Sequence, residues 1–353
     1  MRVIERSWFR TTFLLLTLSV LFVGDAWRFT FGWVAFGTLA VASGVASVGI
    51  LILYRGRWRL GTLPYPLLVF LALATVSVAW SAYPTATLLG LLTTWLIATA
   101  ATAMAIGFQW REIVGALSLL FKIVLAASLA FELFVSLVIR APILPLYTQP
   151  GVDYSIYDTI PKMLYWSRNE LFDVLGAGRI QGIVGNANNL GLIALLAVIV
   201  FAIQIADRTV RKPWGFAWLA LAALTVLFTR SATITVALIA AVAVTAAVLL
   251  LRRARTGKAR AVTVASILAV VAIGGASVAA FSTQLLALLG KSGDFTGRVG
   301  IWQSVLELAS QRAVAGWGWV SFWMPWAAPF DNLAFRNGVR QLQAHNAWID
   351  VFL

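Results

Sequence analysis

The chain contains no cysteine and a single histidine, His345. The first absence excludes disulfides, thiolate nucleophiles and cysteine-ligated metals. The second excludes a zinc site built from several histidines. Charge is also scarce. Only 11% of the 353 residues are charged, against 61% that are hydrophobic, where soluble domains carry about 25% charged residues. Acidic residues are the rarer sign, 13 against 27 Lys and Arg. A chain so poor in charge, with mean hydropathy +0.89, falls in the membrane class.

What is present is a series of apolar runs. A helix that crosses the hydrocarbon layer, ~30 Å thick, needs about 20 apolar residues. The runs lie at 11–25, 29–53, 63–80, 86–107, 113–138, 189–206, 213–229, 231–251 and 262–282. A further run begins near 346 and stops at Leu353, too short to cross, so the chain is expected to continue into a longer helix. The expected fold is an all-α membrane protein, a polytopic bundle of about ten transmembrane helices forming a single domain over 1–353. The residues after Leu21 make a poor signal-peptidase site, so the first run reads as a retained span.

With the N-terminus in the cytoplasm, the inner segments are 1–10, 54–62, 108–112, 207–212 and 252–261. They hold 15 of the 27 Lys and Arg, as the positive-inside bias requires. The net charge of +14 then signals topology and argues against nucleic acid as a partner. Two long segments, 139–188 and 283–345, fall outside, and long loops of this kind carry function. In the first, "PKMLYWSRNELFDVLG" sets Met163, Leu164, Trp166, Leu171, Phe172, Val174 and Leu175 where a helix lying on the membrane would bury them. A plain amphipathic cap on the bundle is the alternative. The second is expected to be the large catalytic loop. Lys122 and Glu132 fall inside the fifth run without sharing a helical face. They are left without a role unless they line a groove for a lipid carrier.

Four polar features reach the outer boundary. In "GRIQGIVGNANNLG", Asn186, Asn188 and Asn189 suit a helix start, whose free N–H groups and dipole favour an anion, and Arg179 adds a fixed positive charge. The bland reading is a capped helix with Arg179 on lipid phosphate. In "LFTRSATITVALIAA", Arg230 lies between two apolar runs, where an arginine pairs, snorkels or lines a wet cavity. In "GDFTGRVGIWQSVLELASQRAVAGWGWVSFW", Gly297 and Gly300 flank Arg298 and leave the backbone open to a ligand. Trp302, Val305, Leu306 and Leu308 predict a short helix that Gly316 and Gly318 end. Trp317, Trp319, Phe322, Trp323 and Trp326 follow; such rings stack on sugars or, for most of them, sit in the membrane interface. In "QAHNAWIDVFL", His345 and Asn346 stand at the outer start of the last run.

These motifs, "RIQGIVGNANNLG", the Arg-Ser pair at 230–231, "TGRVGIW…AGWGW" and "HNAWID", occur in order over residues 179–350. As a set they resemble the O-antigen ligase and polymerase superfamily of bacterial membrane glycosyltransferases. The sequence departs from that pattern at 229–232, where Thr-Arg-Ser-Ala replaces a serine-rich version, and it stops before the family's C-terminal spans. The resemblance implies transfer of a glycan from an undecaprenyl-diphosphate-linked donor to an acceptor hydroxyl, at the outer face of the bacterial plasma membrane. Transfer would be inverting, with no metal and no cofactor. It implies Arg179 and Arg298 as the arginines on the diphosphate, His345 as the essential histidine, and Arg230 as a further contact. Asn188, Asn189, Gly297, Asn346 and Trp302 complete the expected substrate site. The implied partners are the lipid-linked oligosaccharide donor, a glycan or lipid-glycan acceptor, and membrane lipids. Ligase and polymerase share these motifs. His345 takes the acceptor's proton or positions phosphate, and Asp294 is the alternative base. A polysaccharide or lipid transporter, or flippase, is the rival reading, and a non-catalytic scaffold a third.

Overall fold

A computed structural model of the chain describes residues 6–57, 61, 64–148, 152–173, 178–281, 284, 297–336 and 338–353. Helix dominates it. The helices are α1 (Ser7–Phe22), α2 (Gly24–Leu53), α3 (Tyr65–Val76), α4 (Pro84–Gly107), α5 (Trp110–Phe134), α6 (Ala187–Ala206), α7 (Lys212–Thr229), α8 (Ala232–Arg253), α9 (Gly257–Ala280), α10 (Arg298–Ser310) and α11 (Ala347–Phe352). Two short strands, β1 (Phe335–Arg336) and β2 (Val339–Arg340), pair as an antiparallel hairpin.

Where the sequence predicts about ten spans, seven helices among the described residues are long and apolar enough to cross a membrane. Ser7–Phe22 and Tyr65–Ala79 are apolar but shorter, and α11 has six residues. The break between the first two runs falls at Val23 and again at Gly32, whose φ of 82° takes the chain out of the helix. A side chain there would also meet the Tyr147 ring at 3.0 Å.

The chain divides into two compact units, Ser231–Gly300 and the rest, Met1–Arg230 with Ile301–Leu353. In the smaller unit α8 and α9 pack on each other. They leave Val236, Ile239, Val242, Val270 and Ile273 exposed, an apolar surface that only lipid or protein can cover. Ser231 and Thr256 cap the two helices at their starts.

In the larger unit α1, α2, α4, α5, α6 and α7 form the bundle. Leu14, Phe121, Leu125, Leu190, Ile193 and Phe201 are nearly or fully buried in it. Lys122 is accounted for here. Its ammonium stands 5.8 Å from the Phe201 ring of α6 and 5.9 Å from the Trp218 ring of α7, where ring quadrupoles offset a cation held in an apolar layer.

At one end of the bundle Arg10 joins four helices. Its Nε and Nη2 donate to the two carboxylate oxygens of Glu112, each at 2.6 Å. Nη2 also donates to the Gly107 carbonyl at 3.0 Å, and the guanidinium covers the Phe108 ring at 4.4 Å. Arg10 Nη1 reaches the Tyr54 hydroxyl at 3.5 Å. A paired arginine of this kind is strongly placed. Arg10→Ala is expected to cost about 1–3 kcal/mol, read as a lower thermal unfolding midpoint in detergent.

The opposite end carries the long segments. Ala82 N donates to Trp317 O and the Tyr83 hydroxyl to Gly318 O, both at 3.0 Å. Residues 301–353 build their own small core on the start of α4, with Tyr83, Val305, Trp323, Phe330 and Ala344 inside it. Trp323 is 1% exposed and stacks on Phe330, so it is not an interface residue. Trp317 and Trp319 are half-buried, their indole N–H groups bound to Leu308 O and Thr94 Oγ1. Of the tryptophans in that cluster, Trp326 is the exposed one, at 63%. The helix predicted after Arg298 is α10, and the chain turns out of it before Gly316.

The helix predicted over 161–176 does not form in the described residues. The segment has one short 3-10 turn, Lys162–Leu164, and then an extended stretch in which Ser167 bridges to Ile143. Val174 and Leu175 lie outside the described residues, as does Asp294. Leu164, Trp166 and Leu171 are buried while Phe172 is 60% exposed. These side chains plug the bundle end one by one instead of forming a stripe.

Candidate functional site

The site is assembled from α5 outward. Near the end of that helix Glu132 is 1% exposed. Its Oε1 accepts the backbone N–H groups of Gln181 (2.9 Å) and Gly182 (2.7 Å), and its Oε2 accepts the Ser167 hydroxyl (2.7 Å). Gly182 has φ +56°, and a Cβ there would lie 2.4 Å from the Ser128 side chain; only glycine fits this turn. Gln181 Nε2 donates to Tyr165 O, and Trp166 Nε1 donates to Ile183 O. Farther along, Arg179 N donates to Glu170 Oε2 at 3.1 Å. Residues 165–170 and 178–183 therefore run antiparallel, pinned by Glu132 at one end and Glu170 at the other. Glu170 Oε1 also accepts Lys162 Nζ at 2.7 Å.

This scaffold aims Arg179. Its Nε donates to Thr229 O at 2.8 Å and its Nη2 to Asn188 Oδ1 at 3.0 Å. Nη1 makes no hydrogen bond among the described residues. Asn186 caps α6, its Oδ1 accepting from Asn188 N and Asn189 N. Arg230 closes α7 in a left-handed conformation, φ 43°. One guanidinium thus ties the start of α6 to the turn after α7. Burial lowers the Arg179 pKa first, and the charge of Arg168 pushes the same way. Glu170 opposes this, and Arg336 adds to the depression. An arginine remains protonated through such a shift. The meaning is spatial: like charges gather here. Arg336 arrives on the hairpin, whose Gly338 carbonyl accepts the Tyr157 hydroxyl at 3.3 Å.

His345 lies beyond the hairpin. It is exposed, holds φ 54°, and its Nε2 is 3.2 Å from Oε1 of the buried Gln341. Trp302 Nε1 donates to Ala344 O, Ala344 N donates to Asp350 Oδ1, and Asn346 Oδ1 caps α11 through Trp348 N. Trp302 thus braces the histidine's backbone. Gly297, φ 80°, precedes Arg298, the first residue of α10; both belong to the smaller unit.

The structure brings Arg179, Asn188 and the Arg230 turn together, and joins Trp302, His345 and Asn346. Asn189 faces elsewhere. It lines an apolar cavity of about 310 Å³ with Thr17, Phe36, Leu96 and the Asp25–Arg28 ion pair. Among the described residues no three of His, Asp and Glu gather as a metal site would need. The sequence reading missed Arg168, Glu170 and Arg336, and gave Glu132 no firm role. A signal for Arg168 existed. At about 100° per residue a helix would place it on the same face as Leu164, Leu171 and Leu175. An arginine inside the apolar stripe argues against that helix and for a charge with a task.

Residues 215–353 match a family model described as O-Antigen ligase. No curated protein and no solved structure matches the chain. The matched region includes Arg230, Arg298, Trp302, His345 and Asn346. Arg179 lies upstream of it and reaches into it through the hydrogen bond to Thr229 O.

Proposed function

We propose that a chain carrying the O-antigen ligase family pattern over residues 215–353 transfers a glycan from a polyprenyl-diphosphate-linked donor to an acceptor hydroxyl. The transfer takes place at the outer face of the bacterial plasma membrane, with the N-terminus inside. The observation that carries this reading is Arg179, bound at once to the start of α6 and to the matched region, with like charges around it. A diphosphate leaving group gains negative charge as the sugar's C1–O bond breaks. Guanidinium groups can take up that charge without a metal, gripping phosphate oxygens in pairs. The acceptor oxygen attacks C1 from the opposite side, which inverts the linkage. His345 takes the acceptor's proton as a neutral imidazole, and polyprenyl diphosphate departs. Arg298 is the other arginine that the matched family pattern implies for phosphate. A transporter would hold its polar groups near the bilayer midplane; the position of Arg179 at helix ends favours the transferase.

The test is transfer from a purified lipid-linked oligosaccharide by the reconstituted protein, with excess chelator present. Transfer is expected to persist, and Arg298→Ala and His345→Ala each to lower its rate by about 100-fold or more. No transfer by the wild type, or transfer lost to chelator alone, would overturn the mechanism.

A further inference from the structure

Arg168 takes no part in the motifs that carry the reading above, yet its surroundings are unusual. Its Nε is buried and has no hydrogen-bond partner among the described residues. Its backbone is not free to withdraw, because Ser167 is fixed by Glu132 and the antiparallel run pins Glu170 to Arg179 N. That register sets residue 168 beside residues 179–181 on the neighbouring segment.

Two carboxylates, Glu170 and Glu132, attract Arg168 electrostatically but accept no hydrogen bond from it among the described residues. Glu132 is occupied by Ser167, Gln181 and Gly182; Glu170 by Lys162 and Arg179 N. Three guanidiniums, Arg168, Arg179 and Arg336, thus share a locality with two carboxylates already engaged by other donors. A structural arginine has its donors satisfied, since a buried donor without a hydrogen bond is costly. Donors left open beside a like charge are arranged for an anion that binds between them.

We propose that Arg168 is a further phosphate-binding residue, gripping with Arg179 the diphosphate of an isoprenoid-linked donor. The assignment rests on the transferase reading for its ligand, and on the open donors and the antiparallel clamp for its geometry. The diphosphate fills the donors that the protein leaves open and relieves the repulsion between the two arginines.

The experiment uses the full chain in detergent with farnesyl diphosphate as probe and farnesol as the uncharged control. Arg168→Ala is expected to weaken farnesyl diphosphate binding about tenfold or more, the scale of one charge-assisted contact, and to leave farnesol binding unchanged. Arg168→Lys recovers part of the loss. Without ligand, the thermal midpoint of Arg168→Ala stays near that of the wild type, because Nε has no protein hydrogen bond to lose and the attraction to Glu170 and Glu132 is offset by the cost of burying the charge. Unchanged diphosphate affinity, or a lowered midpoint, overturns the assignment. If Arg179→Ala still loses affinity in that case, the transferase reading survives. A wild type that binds farnesyl diphosphate no better than farnesol overturns both. Arg168-dependent binding with no glycan transfer leaves the anion site standing and removes the transferase.

Discussion

Glu132→Ala is expected to destabilise the protein by about 3–5 kcal/mol, the scale of breaking a buried charged network from one side. The substitution strands two backbone N–H groups and a hydroxyl that now converge on one carboxylate. It also removes one of the ties between the 165–170 and 178–183 segments, leaving those from Gln181 to Tyr165 O, Trp166 to Ile183 O and Arg179 N to Glu170. Glu132→Gln is expected to be milder, about 1–2 kcal/mol. Its amide oxygen can accept from Gln181 and Gly182, while its NH₂ donates to Ser167 in place of accepting from it. Thermal unfolding in detergent measures the order of the two variants. Hydrogen exchange at residues 180–183 measures where the loss occurs: fast exchange there, with α6 and α7 still protected, marks the clamp as local. An alanine variant that melts with the wild type would mean packing alone holds the segments.

The second large effect is catalytic. Arg179→Ala is expected to lower glycan transfer by about 100- to 1000-fold, the range seen when a preorganised donor to a developing anion is removed. Arg179→Lys is expected to recover little of it. A lysine ammonium is a point donor on a flexible stem and cannot hold Thr229 O and Asn188 Oδ1 in one plane while facing phosphate. Initial rates at saturating donor separate a lost transition-state contact from weaker binding. A fall in KM-limited rate alone, with turnover intact, would place Arg179 in donor capture and not in charge stabilisation.

The helices were legible because their apolar runs are long and their caps are explicit. Asn186 and Asn346 cap α6 and α11, and the stop at Arg230 falls where two runs break, whereas the break at Gly32 lies inside the run 29–53. Motif residues that meet their neighbours within a few positions, such as Asn186 with Asn188 and Asn189, were legible for the same reason. The 161–173 segment was not. Its shape is set by Glu132, 35 residues earlier at Ser167, and by Ile143 across an isolated bridge. Local periodicity cannot report such partners. The tryptophans misled for a different reason, since a ring suited to the membrane interface is equally suited to a small core. Trp323 goes inside because Phe330 folds back to stack on it.

Helix α5 holds Lys122 and Glu132, and all the groups that satisfy them lie later in the chain: Phe201 and Trp218 for the lysine, Ser167, Gln181 and Gly182 for the glutamate. During synthesis this helix reaches the bilayer before any of those partners has emerged from the ribosome. Two ionisable side chains make its solitary release into lipid unfavourable. The nascent α5 is therefore expected to stay beside the insertion machinery until α6 and α7 arrive.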